Sequence, residues 1–410
     1  MVVMSPSLDI KVLLLTLPFL FHPADRRQDS VPHSDLINNP LVSIISLSSP
    51  PSFLQTSNRH LFPLVTVLKL VYQTWGLWAA LAYRSRPAEW MLVQNPPAAP
   101  TLAIAKLACV LRNTRLVIDW HNFGYSILAL KLGISHPMVK LMKWHELSFC
   151  RHANAHFCVS NAMARQLRED GGIKTPILVL HDRPPPLFKP IHNDKNRKEF
   201  LFSLPETAPH ADALMSGKRR LLVSSTSWTP DEDFALLIDA LGKYSTHAST
   251  SNLQIPPLCV IITGKGPQKE MYLSKIAELS AAGKLDNVSI KSAWLSLEDY
   301  ACLLACADLG VSLHTSSSGV DLPMKVVDMF GAGLPVAGWN QYEAWPELVT
   351  EGVNGLGFGS AEELLSHLVD AFAVGSDVLP KLRKGAVLES TRRWDDEWDP
   401  VAGRLFKLIS

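Results

Sequence analysis

From residue 90 onward, short apolar runs alternate with stretches in which apolar residues recur every three or four positions. The runs are typical of buried strands, and the periodic stretches are typical of helices that cover a sheet. The predicted strands span 90–94, 116–119, 156–159, 177–180, 220–225, 258–263, 288–291, 309–313 and 334–337. This order of elements predicts an α/β protein built on parallel sheets.

The alternation is interrupted once, at residues 181–218. That stretch has three consecutive prolines near its start, at 184–186, and carries mixed charge. These features predict a linker and a surface loop. On either side the pattern predicts two Rossmann-like doubly wound domains. The predicted divisions are an atypical N-terminal segment at 1–34, a first domain at 35–205, a linker at 206–219, a second domain at 220–385, and a C-terminal helix at 386–410 as a candidate to return to the first domain.

Two apolar segments precede the alternating region. Residues 10–21 are too short to span a bilayer and could form an anchor, a signal-like segment or a buried strand. Residues 61–83 are long enough to span, but their pattern favours an amphipathic helix that packs on the domain or lies on a membrane. The predicted apolar face holds Leu61, Leu64, Leu68, Tyr72, Trp75, Ala79 and Ala82, and the opposite face holds Thr66, Lys69, Gln73, Gly76 and Ala80.

Composition narrows the class of protein. A chain of 410 residues favours two domains, and 47% hydrophobic with 19% charged residues argues against disorder. The 39 basic and 38 acidic residues nearly cancel, so the chain has no general field with which to hold nucleic acid. The six cysteines form no Cys-x-x-Cys pair, which predicts reduced, buried thiols in a protein that faces the cytosol.

The segment from Ser317 to Asp328 carries the most informative chemistry. A small polar loop enters a helix with Pro323 in its predicted first turn, where unpaired N–H groups suit a diphosphate. Asp321, Lys325 and Asp328 would present two carboxylates and a cation to a polyhydroxyl ligand. Alternatively, Asp321 caps the helix and Asp328 is solvated.

Two further turns lie at predicted strand ends. The Gly264-Lys265-Gly266 turn allows close backbone approach to a phosphate, although glycines there are also ordinary turn residues. His121 follows the strand at 116–119 and could act as an acid or base, or serve structure only. The acids at 231–233 follow a proline, which favours complementing a helix dipole over binding a metal.

Five motifs resemble the chitobiosyldiphosphodolichol β-1,4-mannosyltransferase family of GT-B glycosyltransferases, and the likeness runs from about residue 35 to the end. They span 92–97, 116–127, 225–234, 262–267 and 316–338. The resemblance implies two Rossmann-like domains facing a central cleft, and inverting transfer of mannose from GDP-mannose to chitobiosyl-diphosphodolichol, an early step of N-glycan precursor assembly. It implies no metal and no cofactor beyond the donor substrate.

The resemblance also implies a location, partners and site residues. The protein would lie at the endoplasmic reticulum membrane with its catalytic domains on the cytosolic face, near other dolichol-pathway glycosyltransferases. Asp321 would hold the mannose, Asp328 the ribose or a nearby loop, and His121 or Asp321 would be the catalytic base. The implied donor-binding residues are Thr226, Trp228, Gly264, Lys265, Gly266, Ser317, Ser318, Gly319, Lys325 and Asp328.

One departure from the family bears on function. Family members begin with an anchor and a strand ending in a Gly-Asp loop before Arg-Ser-Pro, and residues 1–34 contain no such motif. The departure leaves one alternative to the mannosyltransferase, a non-catalytic or truncated paralogue that acts as an assembly partner. A second alternative is a GT-B transferase that uses another nucleotide sugar, because no residue pattern in the sequence specifies guanine.

Overall fold

The chain forms two compact units, Met1–Val179 and Leu180–Ser410, each with its own sheet. This boundary lies ahead of the linker predicted at 206–219. The computed structural model describes residues 2–4, 12–16, 34–47, 51, 62–229, 232–250 and 254–409.

The first unit contains a seven-stranded sheet. Its strands are β1 (Val2–Met4), β2 (Val12–Thr16), β3 (Val42–Ser46), β4 (Trp90–Asn95), β5 (Arg115–Trp120), β6 (Ala155–Cys158) and β7 (Ile177–Val179). Their order is β3-β2-β1-β4-β5-β6-β7, and only β1 runs antiparallel to its neighbours. Asn95 pairs with Trp120, and Trp120 pairs with Cys158, so that β4, β5 and β6 end together at one edge.

Six α-helices accompany this sheet in the described part of the first unit. They are α1 (Ser34–Ile37), α2 (Phe62–Ala79), α3 (Thr101–Arg112), α4 (Gly124–Leu132), α5 (Pro137–Cys150) and α6 (Asn161–Glu169). Capping residues explain two of the starts: the Ser160 hydroxyl accepts from the N–H of Met163 at α6, and Pro137 occupies the first turn of α5. The sequence pattern did not predict α4, which has apolar residues on several sides.

The N-terminal segment contributes to the sheet. Residues 1–34 were expected to hold no counterpart of the family's first strand, yet β1 and β2 lie there and pair with each other. Within the apolar segment 10–21, residues 12–16 form β2, which corresponds to the strand alternative. The remaining residues of that segment lie outside the described part of the chain.

Helix α2 is only partly packed on the first unit. Val65 and Leu77 are buried, as is Ala80 directly after the helix, although Ala80 belongs to the face predicted to be the more polar one. Leu68 and Trp75, on the predicted apolar face, are 43% and 65% exposed. At least part of the predicted apolar face is therefore open to solvent. Among the described residues, no helix has both the length and the apolarity needed to cross a membrane.

The second unit contains a six-stranded, wholly parallel sheet. Its strands are β8 (Arg220–Ser225), β9 (Leu258–Thr263), β10 (Val288–Ala293), β11 (Leu309–Ser312), β12 (Val336–Trp339) and β13 (Gly355–Phe358). The order β10-β9-β8-β11-β12-β13 is that of a doubly wound dinucleotide-binding sheet. The chain order therefore reverses between β8 and β11.

The helices of the second unit begin before its first strand. They are α7 (Asp194–Ser203), α8 (Ala211–Met215), α9 (Phe234–Thr250), α10 (Lys269–Ala281), α11 (Leu297–Cys306), α12 (Met324–Gly331), α13 (Trp345–Leu348), α14 (Ala361–Phe372), α15 (Val378–Glu389) and α16 (Trp394–Trp398). Residues 181–218, predicted as a linker and loop, thus include α7 and α8, because Leu201 and Leu214 are buried in the unit.

Two other predictions for the second unit were incomplete. The four residues of β13 include two glycines, a composition that weakens the strand signal. The single helix predicted at 386–410 is instead divided, since α15 ends at Glu389 and α16 starts at Trp394. As predicted, none of the six cysteines forms a disulfide, and all but Cys302 are buried.

Candidate active site

The carboxyl ends of β8 and β11 are the expected place for a ligand, because open α/β sheets bind ligands where the strand order reverses. The loop after β8 carries Thr226 and Trp228, and the loop after β11 carries Asp321. Residues predicted from separate motifs thus follow two neighbouring strands of one sheet.

Asp321 is a buried carboxylate at this edge with three side-chain hydrogen bonds. Its side chain is 7% exposed, and His314 Nε2 lies 3.0 Å from Oδ2. Its other oxygen, Oδ1, accepts hydrogen bonds from Ser316 Oγ and, at 2.8 Å, from Ser318 Oγ. Burial opposes ionisation, but the hydrogen bonds from His314, Ser316 and Ser318 outweigh it and lower the pKa of Asp321.

This coordination excludes the capping alternative for Asp321. Pro323 is the residue that precedes the first turn of α12, and no side chain caps that helix. Pro323 therefore stands just outside the helix rather than in its first turn. The carboxylate of Asp321 is directed to His314, Ser316 and Ser318 instead of to the helix amides.

His314 is a residue of this site that the sequence analysis missed. It follows the end of β11 by two residues, which is the placement that made His121 a candidate. An ionised Asp321 can only accept, so Nε2 of His314 carries the hydrogen in this pair. The edge of the Tyr342 ring faces the imidazole, with 6.1 Å between ring centroids. The imidazole is thus fixed by a carboxylate on one nitrogen and an aromatic ring alongside.

Lys325 pairs with Glu232, a buried acid for which the sequence predicted a different role. Its Nζ lies 2.5 Å from Glu232 Oε1 and 3.3 Å from Ser227 Oγ. Glu232 Oε2 accepts from the N–H of Ser227 at 2.7 Å and from the hydroxyl of Thr226. The carboxylate of Glu232 is 5% exposed, so it fixes the loop after β8 and holds Lys325 beside it.

The prediction that the acids at 231–233 complement a helix dipole is wrong for Glu232. Helix α9 starts at Phe234, so these acids precede it instead of filling its first turn. Asp233 does serve the helix start, because its Oδ1 accepts from the N–H of Ala235 at 3.1 Å. Asp231 lies outside the described residues.

Asp328, on α12, is partly buried rather than solvated. Burial raises the pKa of its carboxyl from 3.8 to about 7. The hydroxyl of Tyr300 shares a hydrogen bond of 2.8 Å with Ser225 Oγ, and burial, with a smaller contribution from Asp328, raises the pKa of that phenol. The site thus holds one carboxylate of low pKa at Asp321 and one carboxyl of high pKa at Asp328.

The glycines after β9 are required by the loop after β8. A Cβ on Gly264 would lie 1.8 Å from the carbonyl oxygen of Thr226, and φ is +137° there. A Cβ on Gly266 would lie 1.8 Å from the carbonyl oxygen of Ser227. The two loops are therefore in backbone contact at the carboxyl edge, which accounts for both glycines without a ligand.

The remaining donor-binding candidates differ in their surroundings. Trp228 has a φ of 48° and is 1% exposed, with its ring packed 4.6 Å from that of Phe234. The Trp228 side chain is therefore part of the core beneath the loop. Lys265 is exposed, with Nζ 3.9 Å from the centre of the Trp294 ring. Ser317 and Gly319 (φ +77°) belong to the loop that surrounds Asp321.

In the first unit, His121 follows β5 directly. Its Nε2 lies 3.0 Å from Asp119 Oδ2, with side-chain exposures of 32% and 24% for the two residues. The N–H of His121 donates to the carbonyl of Asn95, at the end of the neighbouring strand β4. This pair therefore also lies at a carboxyl edge, but it is far more exposed than the pair of Asp321 and His314.

Glu146 fixes the loop that carries His121, and no sequence signal assigned it that role. It is completely buried in α5 and accepts from the N–H groups of Gly124 and Tyr125 at 2.9 and 3.1 Å, and from Asn95 Nδ2 at 2.6 Å. Burial raises the pKa of Glu146, and these three hydrogen bonds oppose the rise. A carboxylate at the first turn of α4 also favours that helix start.

The structure thus gathers most predicted site residues in the second unit, around two acids. Glu232 joins the loop after β8 to Lys325, and Asp321 organises its own loop. His121 belongs to the first unit. No group of three or more histidine, cysteine or acidic side chains within the described ranges could hold a metal ion.

Comparison with known proteins gives the following relations. The family model of a glycosyl transferase 4-like domain matches residues 8–182, so the likeness begins ahead of residue 35. The chain is 64% identical over 386 residues to the chitobiosyldiphosphodolichol beta-mannosyltransferase of Arthroderma benhamiae, covering 94% of this chain and 86% of that protein. It is 39% identical to UDP-glycosyltransferase TURAN of Arabidopsis thaliana, covering 93% and 89%.

Solved structures support the fold. The sucrose-phosphate synthase of Thermosynechococcus elongatus superposes with a TM-score of 0.60 at 14% identity, covering 90% of this chain and 83% of that chain. HepE of Anabaena in complex with UDP gives a TM-score of 0.59 at 16% identity, covering 90% and 86%. At such identities the likeness concerns the fold alone, and the GT-B fold predicted from the sequence is confirmed.

Proposed function

The chain belongs to the chitobiosyldiphosphodolichol β-mannosyltransferase family, as its motifs predicted, and from this premise we propose that it transfers mannose from GDP-mannose to chitobiosyl-diphosphodolichol. It is a glycosyltransferase of the GT-B fold. The proposed product carries a β-1,4 linkage, whereas the donor sugar is α-linked, so the reaction would invert the anomeric carbon in a single displacement.

The observation that carries the proposal is the cluster at the carboxyl ends of β8 and β11. It contains the hydrogen-bonded pair His314 and Asp321. It also contains Lys325, at the start of helix α12, which no side chain caps. A diphosphate needs cations and backbone N–H groups, and a sugar needs fixed hydrogen-bonding partners. The cluster has both kinds of group.

Inversion requires a base that removes the proton of the acceptor hydroxyl. Asp321 is poorly suited to this, because its oxygens already accept three side-chain hydrogen bonds and its pKa is lowered. A carboxylate at Asp119 can only accept, so it holds the His121 tautomer with hydrogen on Nε2 and makes Nδ1 the basic nitrogen. We therefore assign the base to His121, and an orienting role to Asp321.

The leaving GDP must be stabilised while the bond to mannose breaks. Lys325 Nζ can turn from Glu232 toward a diphosphate, since its side chain is 29% exposed. The N–H groups at the start of α12 add partial positive charge at the same place. Burial raises the pKa of Asp328 to about 7, so near neutral pH its protonated form is well populated and can donate as well as accept a hydrogen bond toward a ribose.

The test is a transfer assay with the purified full chain, radiolabelled GDP-mannose and chitobiosyl-diphosphodolichol in detergent. We expect a radiolabelled lipid product from which β-mannosidase, but not α-mannosidase, releases the label. Heat-inactivated protein and the Asp321→Asn variant serve as controls. Absence of product from folded protein that binds GDP would contradict the proposal and favour the alternative of an assembly partner.

A second donor class has one observation in its favour. A relative that is 39% identical over most of both chains is named a UDP-glycosyltransferase. Competition of UDP-glucose, UDP-N-acetylglucosamine and GDP-mannose in the same assay separates the two classes. Preferential transfer from a UDP-sugar would overturn the proposed donor while leaving the glycosyltransferase assignment in place.

We also propose that the protein lies at the endoplasmic reticulum membrane with both units on the cytosolic side, beside other dolichol-pathway glycosyltransferases. The exposed Leu68 and Trp75 of α2 support a contact with lipid. In the full chain, Trp75→Glu should weaken flotation with liposomes without unfolding the protein. Unchanged flotation of that variant would remove α2 from the contact.

A further inference from the structure

The hairpin formed by α4 and α5, residues 124–150, ends in an unusually exposed tip. Each of the nine residues from Leu130 to Met138 is exposed to solvent. Four of them are large and apolar: Leu130, Leu132, Ile134 and Met138. The side chain of Ile134, at the turn between the helices, is 66% exposed. Apolar surface of this extent on a projecting turn is typical of an interaction site.

The apolar surface continues from the tip along α5. Leu141 and Trp144 are exposed, the latter by 62%, while Val139 and Leu147 on the other side of the helix are buried. Met138, Leu141 and Trp144 are spaced by three residues, which places them along one side of the helix. Helix α5 thus presents apolar side chains both to the core of the first unit and to the solvent.

The exposed charges of the hairpin are all of one sign. From Gly124 to His145 the sequence has three lysines, at 131, 140 and 143, and no acidic residue. Lys143 pairs with Asp170 at 3.0 Å, whereas no carboxylate of the described residues pairs with Lys131 or Lys140. The one acid of the hairpin, Glu146, is completely buried. The exposed surface therefore combines apolar side chains, an interfacial tryptophan and unpaired cations.

We propose that the α4–α5 hairpin inserts its tip into the headgroup region of an anionic phospholipid bilayer. A bilayer surface takes up apolar side chains to the depth of the acyl boundary and attracts lysines to its anionic lipids, and tryptophan is favoured at that boundary. This inference rests on the proposed function only in that the acceptor is lipid-linked. It places a membrane contact apart from α2 and from the N-terminal segment.

The base of the hairpin links this contact to the proposed catalytic base. Helix α4 starts at Gly124, three residues after His121, and Glu146 of α5 holds the N–H groups of Gly124 and Tyr125. The loop of His121 and the hairpin are therefore one hydrogen-bonded piece. Docking of the tip on lipid fixes the height of this loop above the bilayer, where the diphosphate of the acceptor lies.

The first test measures vesicle binding by the full chain. Ile134→Glu, alone and with Leu132→Glu, is compared with Val374→Glu, a matched control because Val374 is 72% exposed in the other unit. The vesicles contain phosphatidylcholine with about 30% phosphatidylserine. We expect the hairpin variants to lose at least about 10-fold in apparent affinity, and the control to bind as the unchanged chain does. Equal binding by all variants would overturn the proposal.

The second test locates the contact. Five of the six native cysteines are buried, so an Ile134→Cys chain in a Cys302→Ser background can be labelled with an environment-sensitive fluorophore at the tip. Brominated phosphatidylcholine in the same vesicles should quench the label at position 134 but not one at Val374→Cys. An unquenched label at 134 on protein that floats with the vesicles would overturn the proposal. If an added protein, and not the vesicles, shields the label at position 134, the proposal is also overturned.

Transfer activity separates this proposal from the proposed function. With a detergent-solubilised acceptor, Ile134→Glu should retain the activity of the unchanged chain, because the tip contains no residue of the site. With the acceptor in anionic vesicles the variant should lose activity in parallel with binding. If the unchanged chain has no transferase activity, the vesicle and quenching experiments still test the hairpin.

Discussion

The two units each place a histidine–aspartate pair at the carboxyl edge of a sheet, and the pairs differ in burial. In the first unit His121 and Asp119 are 32% and 24% exposed. In the second, His314 and Asp321 are 23% and 7% exposed, and Asp321 accepts two further hydrogen bonds from serines. The same two residue types can therefore serve proton transfer in one unit and ligand orientation in the other.

The comparison teaches that the hydrogen bonds of a carboxylate, rather than its position in a motif, decide its role. Asp321 is the more prominent residue in sequence, yet its oxygens already accept three side-chain hydrogen bonds and its pKa is lowered. Asp119 holds one histidine and is half-buried. We therefore expect substitutions in the two pairs to have distinct kinetic signatures.

The largest effect is expected from Asp321→Asn. The amide would place an NH2 group against donors that now meet an acceptor, so that His314, Ser316 or Ser318 loses its partner. We expect kcat/KM for mannose transfer to fall by at least about 1,000-fold, about 4 kcal/mol, with GDP affinity largely unchanged. Transfer is measured with radiolabelled donor, and GDP binding by calorimetry.

Ser318→Ala is the matched control for Asp321→Asn, since it removes a single hydrogen bond from the same carboxylate. It should cost about 10-fold or less. If Asp321→Asn keeps more than about a tenth of the original rate in a folded protein, the barrier has changed by less than roughly 1.4 kcal/mol, and the orienting role is wrong.

The second effect is on stability. It distinguishes Asp328, whose pKa is raised, from Asp321, whose pKa is lowered. Burial raises the pKa of Asp328 in the folded protein to about 7, above its ordinary value of 3.8. The stability that this neutral carboxyl allows is present below about pH 4 and is lost as pH rises through 7. Asp328→Asn should therefore stabilise the chain by up to about 4 kcal/mol at about pH 8 and by much less at about pH 4.

Urea unfolding at several pH values measures this difference. The variant has the same shape but no titrating group, so its stability curve should be flatter between about pH 4 and pH 8 than that of the unchanged chain. Parallel curves for the two proteins would show that Asp328 ionises normally and would remove the hydrogen-bond donor proposed for the ribose.

The third prediction contrasts the two histidines. His121→Ala should lower kcat about 100-fold at unchanged KM for GDP-mannose, because it removes a proton acceptor and no donor contact. His314→Ala should mainly raise KM for the donor, because it frees Asp321 from the geometry that holds the sugar. Initial rates over a range of donor concentrations distinguish the two. A lowered kcat from His314→Ala alone would exchange the proposed roles.

Much of the fold could be predicted from the sequence because buried parallel strands leave continuous apolar runs. The strands at 220–225 and 258–263 were predicted at their observed bounds. Helix α4 and strand β13 were missed, since α4 has no single apolar face and β13 is half glycine. For α2 the pattern left open whether the apolar face packs on the domain or lies on a membrane, and Leu68 and Trp75 of that face are exposed.

The site was predictable where a motif presents its residues together, as in the loop of Asp321. Glu232 and Glu146 were not recognised, because they act on residues that are distant in sequence or on backbone N–H groups. His314 lies seven residues from Asp321 and just after β11, so its position was a usable signal that was missed. Glu232 joins residues 226 and 227 to Lys325, and Glu146 joins residue 95 to residues 124 and 125. Such contacts depend on tertiary structure, and no local spacing encodes them.

The smallest effect is expected at the lysine. Lys325→Ala should weaken GDP binding about 10-fold, about 1.4 kcal/mol, through loss of one cation from a partly exposed site. The same change leaves Glu232, 5% exposed, without its cation, so the melting temperature should also fall. Lys325→Ala combined with Glu232→Gln removes that unpaired charge, and should restore the melting temperature without restoring GDP affinity. Recovery of affinity in the double variant would mean that Lys325 serves the fold of the loop after β8, and that the diphosphate is held by the start of α12 alone.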